Sequence, residues 1–294
     1  MTKWTTMDIC FENGERMQAD IHLSLTEGAV RVLSMSDPMA KVRLGRQVAA
    51  AWRKGCLVDV GDHLPPDRPG RPDRPILSSP RDVPKRKVSG RPGGRIALLH
   101  ALAHIELNAI DLAWDMIARF APLRLPRNFL DDWVGVADQE SLHFTLLSDR
   151  LTVMGMSYGD LPAHDGLWEA ARSTAHDILA RLAIVPLVLE ARGLDVAPAM
   201  IERLLAVGDA ESAHVLKVIY RDEISHVAIG KRWFDDLIAA RGGDPVKTWQ
   251  GLVRRYFEGG VKPPFNIPAR EAAGFSAAFY GPLGEEFLLR RRKG

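Results

Sequence analysis

Cysteine is nearly absent from this 294-residue chain: Cys10 and Cys56 are its only two. No CxxC and no histidine at zinc-ligand spacing accompanies them, so neither a disulfide framework nor a structural zinc is indicated, and a reducing, cytoplasmic setting is expected. Charge of one sign is lacking too. Thirty-nine Lys and Arg face 37 Asp and Glu, a net +2, too little overall to mark an obligate nucleic-acid binder. Long apolar runs are missing: the stretch Ile178 to Leu189 is interrupted by Arg181. No basic start leads into an apolar core, so neither export nor a membrane span is expected. What is there, 46% hydrophobic and 26% charged, is ordinary globular composition and excludes disorder as the dominant state.

Along the chain, Asn13-Gly14 between two partly alternating runs, Met7 to Glu12 and Ala19 to Leu25, predicts a hairpin. Asp37-Pro38 predicts an N-cap with proline at the first helical position, opening a helix that stops at Gly55. Residues 65–95 hold 8 of the 19 prolines and nine Lys or Arg against three Asp. That proline density excludes a helix or central strand there. An extended basic arm packed on the body is expected, with a phosphate-contacting strap as the alternative.

From Ile96 the apolar residues recur at helical spacing. Helix A spans about Ile96 to Phe120, helix B about Asn128 to Met154, helix C about Leu167 to Arg192 and helix D about Asp209 to Ala240. Pro186 is expected to kink helix C and Gly193 to end it, with a short helix from Ala199 to Val207 before D. The implied fold class is all-α, a four-helix bundle over residues 96–241. An N-terminal extension with one helix (1–64), the arm (65–95) and a C-terminal extension (242–294) surround it. The B to C link, Gly155 to Gly166, can reach about 40 Å when extended. It can therefore cross the bundle in the ferritin-like manner.

Each apolar stripe is interrupted by a carboxylate. Glu106 sits between Ala103 and Ile110, Glu140 between Ala137 and Phe144, Glu223 between Ile219 and Val227, and Glu190 beside Leu189. A buried, unpaired carboxylate costs several kcal/mol, and few Lys or Arg lie on these stripes, so four of them call for a shared cation. Histidines complete the pattern: His143 follows Glu140, and His226 follows Glu223, at i, i+3. Three residues turn a helix by about 300° and rise about 4.5 Å, so each pair can reach one metal ion. Glu106 to Glu140 spans 34 residues and Glu190 to Glu223 spans 33, so the chain twice writes a lone Glu, a helical hairpin, then Glu-x-x-His. Such a set suits two iron ions, or iron and manganese. Asp222 is a candidate to hold the far ring nitrogen of a ligand histidine, and Tyr220 lies one turn before Glu223. A third Glu-x-x-His, Glu211 and His214, falls about 18 Å and about 120° from Glu223, off the site. His104 and His176 are expected to be structural or superficial.

The segments HIELNAID around Glu106, DQESLH around Glu140, LEARGLDV around Glu190 and RDEISHVAIG around Glu223 resemble, in this order, the ferritin-like di-iron superfamily. A narrower likeness, to a bacterial group of ferritin-like proteins of unassigned activity, runs from about Ser36 through GRP and LPAHDGLWE to FNIPAREAAGFS, leaving the first 30 residues outside. A more distant one is to the tRNA hydroxylase acting on a methylthio-isopentenyl adenosine, which shares an EAR-type helix and a downstream Glu-x-x-His. The GLDVAP run of this chain is expected to leave that helix soon after Glu190. The resemblance implies metal ligation by Glu106, Glu140, His143, Glu190, Glu223 and His226, with Glu140 and Glu223 as bridges. It also implies an oxygen-dependent oxidase or hydroxylase whose partners are dioxygen, a small substrate, an electron donor the sequence does not specify and, as an open option, a second copy in a homodimer. A ferroxidase or iron store, a tRNA-modifying hydroxylase and a module with a purely structural metal are the alternatives.

Overall fold

Short polar side chains mark most helix starts, each accepting a backbone N–H that the first turn leaves without an intrahelical partner. Ser24 caps α1 (Leu25–Ser34), Asp37 caps α2 (Pro38–Arg53) and Asp177 caps α6 (Ile178–Ile184). Asp209 caps α8 (Ala210–Ala239), Asp244 caps α9 (Pro245–Tyr256) and Asn266 caps α10 (Ile267–Ala272). The remaining helices are α3 (Pro92–Phe120), α4 (Arg127–Val153), α5 (Gly166–Ser173), α7 (Ala191–Ala206) and α11 (Ala277–Lys293), with a π-helical segment, Val185–Glu190, between α6 and α7. The structure is a computed structural model that describes residues 23–78, 82–83 and 92–293. Among these residues the fold is all-α and consistent with a helical bundle, no strand beyond an isolated bridge being formed.

The described residues divide into two compact units, those within 23–72 and 109–141, and those within 73–108 and 142–293, with α3 and α4 each contributing to both as unbroken helices. In the first unit α1 packs on α2, where Gly28 allows the approach: a Cβ there would lie 2.8 Å from Val48 Cγ1. The returning chain satisfies the start of α1, since Leu25 and Thr26 donate their N–H groups to the carbonyls of Asp59 and Val60. The described part of the arm is tied down rather than loose. Gly70 N–H donates to Leu33 O at 2.7 Å, Lys41 Nζ donates to Gly70 O, and Arg71 reaches Asp111 at 2.7 Å.

In the second unit one buried carboxylate gathers three helix ends. Asp209, at the start of α8, accepts from Arg95 at the start of α3 (2.9 Å) and from Arg150 at the end of α4 (2.8 Å). α7 packs against α8 through a tight turn at Gly208, whose φ of 76° favours glycine. α4 and α7 therefore run in the same direction, and the chain between α4 and α6 has to return along the bundle. The long crossover is as expected, but it takes residues 154–177 and includes α5. It is fastened by the bridge of Leu77 to Ala163, by Gly159 N–H donating to His100 Nε2 (2.9 Å), and by Tyr158 stacked on His100 and His104.

Helix C differs most from expectation. Instead of one helix from about Leu167 to Arg192 ended by Gly193, the chain forms α5, a break at 174–177, α6, the π segment and α7, and Gly193 lies within α7, so the GLDVAP run stays helical. Pro186 does not simply kink the helix: it has no N–H to donate four residues back. The turn widens until the Ala191 N–H reaches Pro186 O. Among the described residues two helices, not one, precede the arm, and α3 begins at Pro92, inside the segment expected to be extended. The Asn13-Gly14 hairpin lies outside the described residues except at its end, where Leu25 opens α1 instead of closing a strand. Residues 92–123 are long and apolar enough to cross a membrane by composition, although no membrane span is expected from the sequence. Since 83% of the most apolar stretch is buried in the fold, it reads as a core helix.

Candidate metal centre

The apolar stripes of α3, α4 and α8 carry their carboxylates inward, because Ala103 and Ile110, Ala137 and Phe144, and Ile219 and Val227 are all buried. Glu106 is 4% exposed, Glu140 and His143 are fully buried, and so is His226. Glu223 and Asp222 each keep 13% of the side chain exposed, which places the solvent contact of the centre on the α8 side. One ligand atom from each of Glu106, Glu140, His143 and Glu223 can be chosen so that all four lie within 4.8 Å of one another. Helical continuity of α4 fixes Glu140 beside His143.

His143 Nδ1 lies 3.5 Å from Glu106 Oε2 and 4.0 Å from Glu223 Oε1. His226 Nδ1 lies 3.5 Å from Glu223 Oε1, and the two imidazole rings are 5.8 Å apart. These separations exceed the roughly 2.7–3.2 Å of good N–H···O bonds. They match donors sharing one ion, since ligands about 2.0–2.2 Å from a metal stand between about 3 and 4.3 Å from each other. On its other edge, His143 Nε2 is 3.3 Å from Asp222 Oδ2. Two protonation states fit: an imidazolium between Glu106 and Asp222, or a neutral ring that donates Nε2–H to Asp222 and turns its Nδ1 lone pair toward the carboxylates. The neutral ring needs a proton or a cation between Nδ1 and the carboxylates, and a metal ion would serve. Glu106, Glu140 and Glu223 bring three carboxylates against the two imidazoles of His143 and His226, a donor set that a cation would suit.

Of the other residues that the sequence nominates, Glu190 is the last of the π segment, half-buried, and is not one of the four that meet within 4.8 Å. π turns often mark functional positions, because the extra residue re-aims the side chains beyond it. Tyr220 turns its hydroxyl to accept from Asn266 Nδ2 at 2.9 Å. Glu211 and His214 are exposed in the first turn of α8, away from the cluster. His104 is buried and structural: Nδ1 pairs with the Tyr158 hydroxyl (2.9 Å) and Nε2 with His164 O (3.1 Å). His176 is at the surface against Tyr256. Sequence reasoning missed the residues that hold the turn after Glu190, Asp195, Asn266 and Arg270.

Fold and site together define an all-α protein with a buried Glu/His cluster able to hold a metal ion. Residues 34–281, which include every one of these side chains, match the family described as protein of unknown function (DUF455), and the chain belongs to that family. A relative in Haemophilus influenzae (strain ATCC 51907 / DSM 11121 / KW20 / Rd), described as an uncharacterized protein, is 43% identical over 226 residues, 75% of this chain and 78% of the relative. No solved structure matches the chain.

Proposed function

We propose that this protein is a non-haem di-iron or iron/manganese oxidoreductase of the ferritin-like kind, an oxygen-dependent oxidase or hydroxylase of a small substrate. The observation that carries the proposal is the convergence of Glu106, Glu140, His143 and Glu223 within 4.8 Å in the protein interior. This oxygen-rich, imidazole-supplemented donor set suits iron and manganese, and it lacks the thiolates that copper(I) or iron–sulfur clusters call for. His226 and Glu190 complete the ligand count for two ions in the pattern of a Glu from each of two helices and a Glu-x-x-His from each of two others. When bound, the metal pair would supply activation of dioxygen toward a substrate C–H bond.

The chain's own residues do the rest. With a metal bound, Asp222 would accept the Nε2 proton of His143, 3.3 Å away, and so keep Nδ1 available as a ligand. Apolar neighbours such as Ile110, Phe144 and Val227 keep bulk water from the carboxylates. A small substrate is favoured over tRNA because Arg71, one of the basic groups of the arm, is already engaged by the buried Asp111, and the arm has no aromatic residues to stack on bases. The test is metal content after anaerobic loading with Fe(II), followed by the absorption spectrum on admission of air. About two ions per chain and an oxygen-dependent spectral change are expected. A chain that stays metal-free when offered iron and manganese refutes the proposal.

A further inference from the structure

Beyond the six ligands, the C-terminal extension grips the helix that carries Glu190 on both sides of the π segment. On the near side Trp249 of α9 donates its Nε1–H to Ala183 O at 3.1 Å. On the far side Arg270 of α10 donates from Nη2 to Ala191 O at 3.3 Å. Arg270 also clamps Asp195 with two bonds of 2.8 Å, Nε to Oδ1 and Nη2 to Oδ2, and both side chains are almost wholly buried. Its guanidinium is enclosed by Phe265, Phe275 and Tyr280, at 5.1, 5.3 and 4.4 Å from their ring centres. Asn266 adds a third hold: its N–H donates to Asp195 Oδ1, and its Nδ2 donates to Leu194 O and to the Tyr220 hydroxyl, three residues before Glu223.

This grip matters because a π turn sets the phase of the residues at its end. One extra residue in a helix rotates the side chains beyond it by about 100°, enough to carry Glu190 from one face to the next. Pro186 accounts for the loss of the α-helical bond, but nothing in the local sequence fixes where the widened turn closes. Pro186 itself rests on Gly230 of α8, while Ala183 on one side and Ala191, Leu194 and Asp195 on the other are each held by the C-terminal extension. The planar guanidinium fork pairs both oxygens of Asp195 in parallel while also reaching the Ala191 carbonyl, a bidentate geometry that a lysine ammonium does not reproduce.

We infer that Arg270, with Asn266, is a positioning residue that sets Glu190 as a ligand to the second metal ion, so that the C-terminal extension is part of the metal centre's support. The inference rests on the metal-centre reading. The test uses the full-length chain under anaerobic conditions with Co(II) alone as the probe, whose visible absorption reports both stoichiometry and ligand number. Far-UV circular dichroism and thermal unfolding are recorded in parallel. In R270K the first Co(II) is expected to bind as in the native chain and the second about tenfold or more weakly, the range for groups that orient a ligand. E190Q is expected to show the same loss, and R270K/E190Q no further loss beyond E190Q. Should R270K fail to fold, N266A carries the same comparison. Native-like affinity for both ions in the folded variant, or losses that add in the double variant, overturn the inference. A native chain that takes up no Co(II) instead overturns the metal-centre reading.

Discussion

Gly230→Ala is expected to destabilise the protein, against the usual sense of a glycine-to-alanine change in a helix. Alanine is favoured over glycine in a helix interior by about 0.8–1 kcal/mol. At Gly230 of α8, however, a Cβ would lie 2.4 Å from Pro186 Cβ and 2.5 Å from Pro186 Cγ. The obstacle is a proline ring fixed to the backbone of the π segment, so about 1 Å of movement must come from one helix or the other. Overpacking of this kind costs about 1–3 kcal/mol, and with so rigid a neighbour the upper part of that range applies, leaving a net loss of about 1–2 kcal/mol. Gly193→Ala supplies the opposite expectation. Gly193 lies in α7, where an added Cβ would meet nothing within 4 Å and φ is not positive, so alanine should stabilise by about 0.5–1 kcal/mol. Urea unfolding of the two variants should therefore separate them by about 2 kcal/mol in opposite directions from the native chain. Equal stability for the two would mean that Pro186 does not rest on α8. A destabilised Gly193→Ala would restore the helix end that the sequence suggests there.

Glu140→Ala and Glu223→Ala are each expected to abolish the proposed metal binding, whereas Glu211→Ala, in the exposed first turn of α8, leaves it intact; metal analysis of the three variants checks this, and equal losses in all three would refute the helical register. Asp209→Ala should cost about 3 kcal/mol by thermal unfolding, since it strands Arg95 and Arg150 and removes the cap of α8. Burial pushes the Asp209 carboxyl up, but hydrogen bonds from Ser212 and Arg150 outweigh it and hold the group below its ordinary value. Its stabilisation is thus complete above the usual carboxylate range and is lost as pH falls through the lowered folded-state value. Native protein should lose stability in acid more steeply than the Asp209→Ala variant, and parallel acid curves would show that the carboxylate is not held in this way.

The parts of the protein legible in the sequence are those fixed by neighbours three or four residues away. The pairs Glu140 with His143 and Glu223 with His226 are visible because helical spacing alone joins them, and the Asp37 cap with Pro38 because both act within one turn. The partial alternation of Ala19 to Leu25 suggests a strand running up to the start of α1, while the decisive contact, Gly28 against Val48, lies in another helix. Gly193 suggests a stop because glycine weakens a helix locally by about 1 kcal/mol, an amount that packing of α7 on α8 overrides. The same physics explains why the sequence shows Glu190 as a residue type but not as a geometric problem. Its turn is widened by Pro186, four residues before it, yet the groups that fix where the widening ends, Asn266 and Arg270, come more than 70 residues later. A buried arginine with an aspartate so distant in sequence has no local signature. Three of the four carboxylates are therefore placed by the periodicity of their own helices, whereas the fourth ends a π segment that rests on α8 and is flanked by residues held by the folded C-terminal extension.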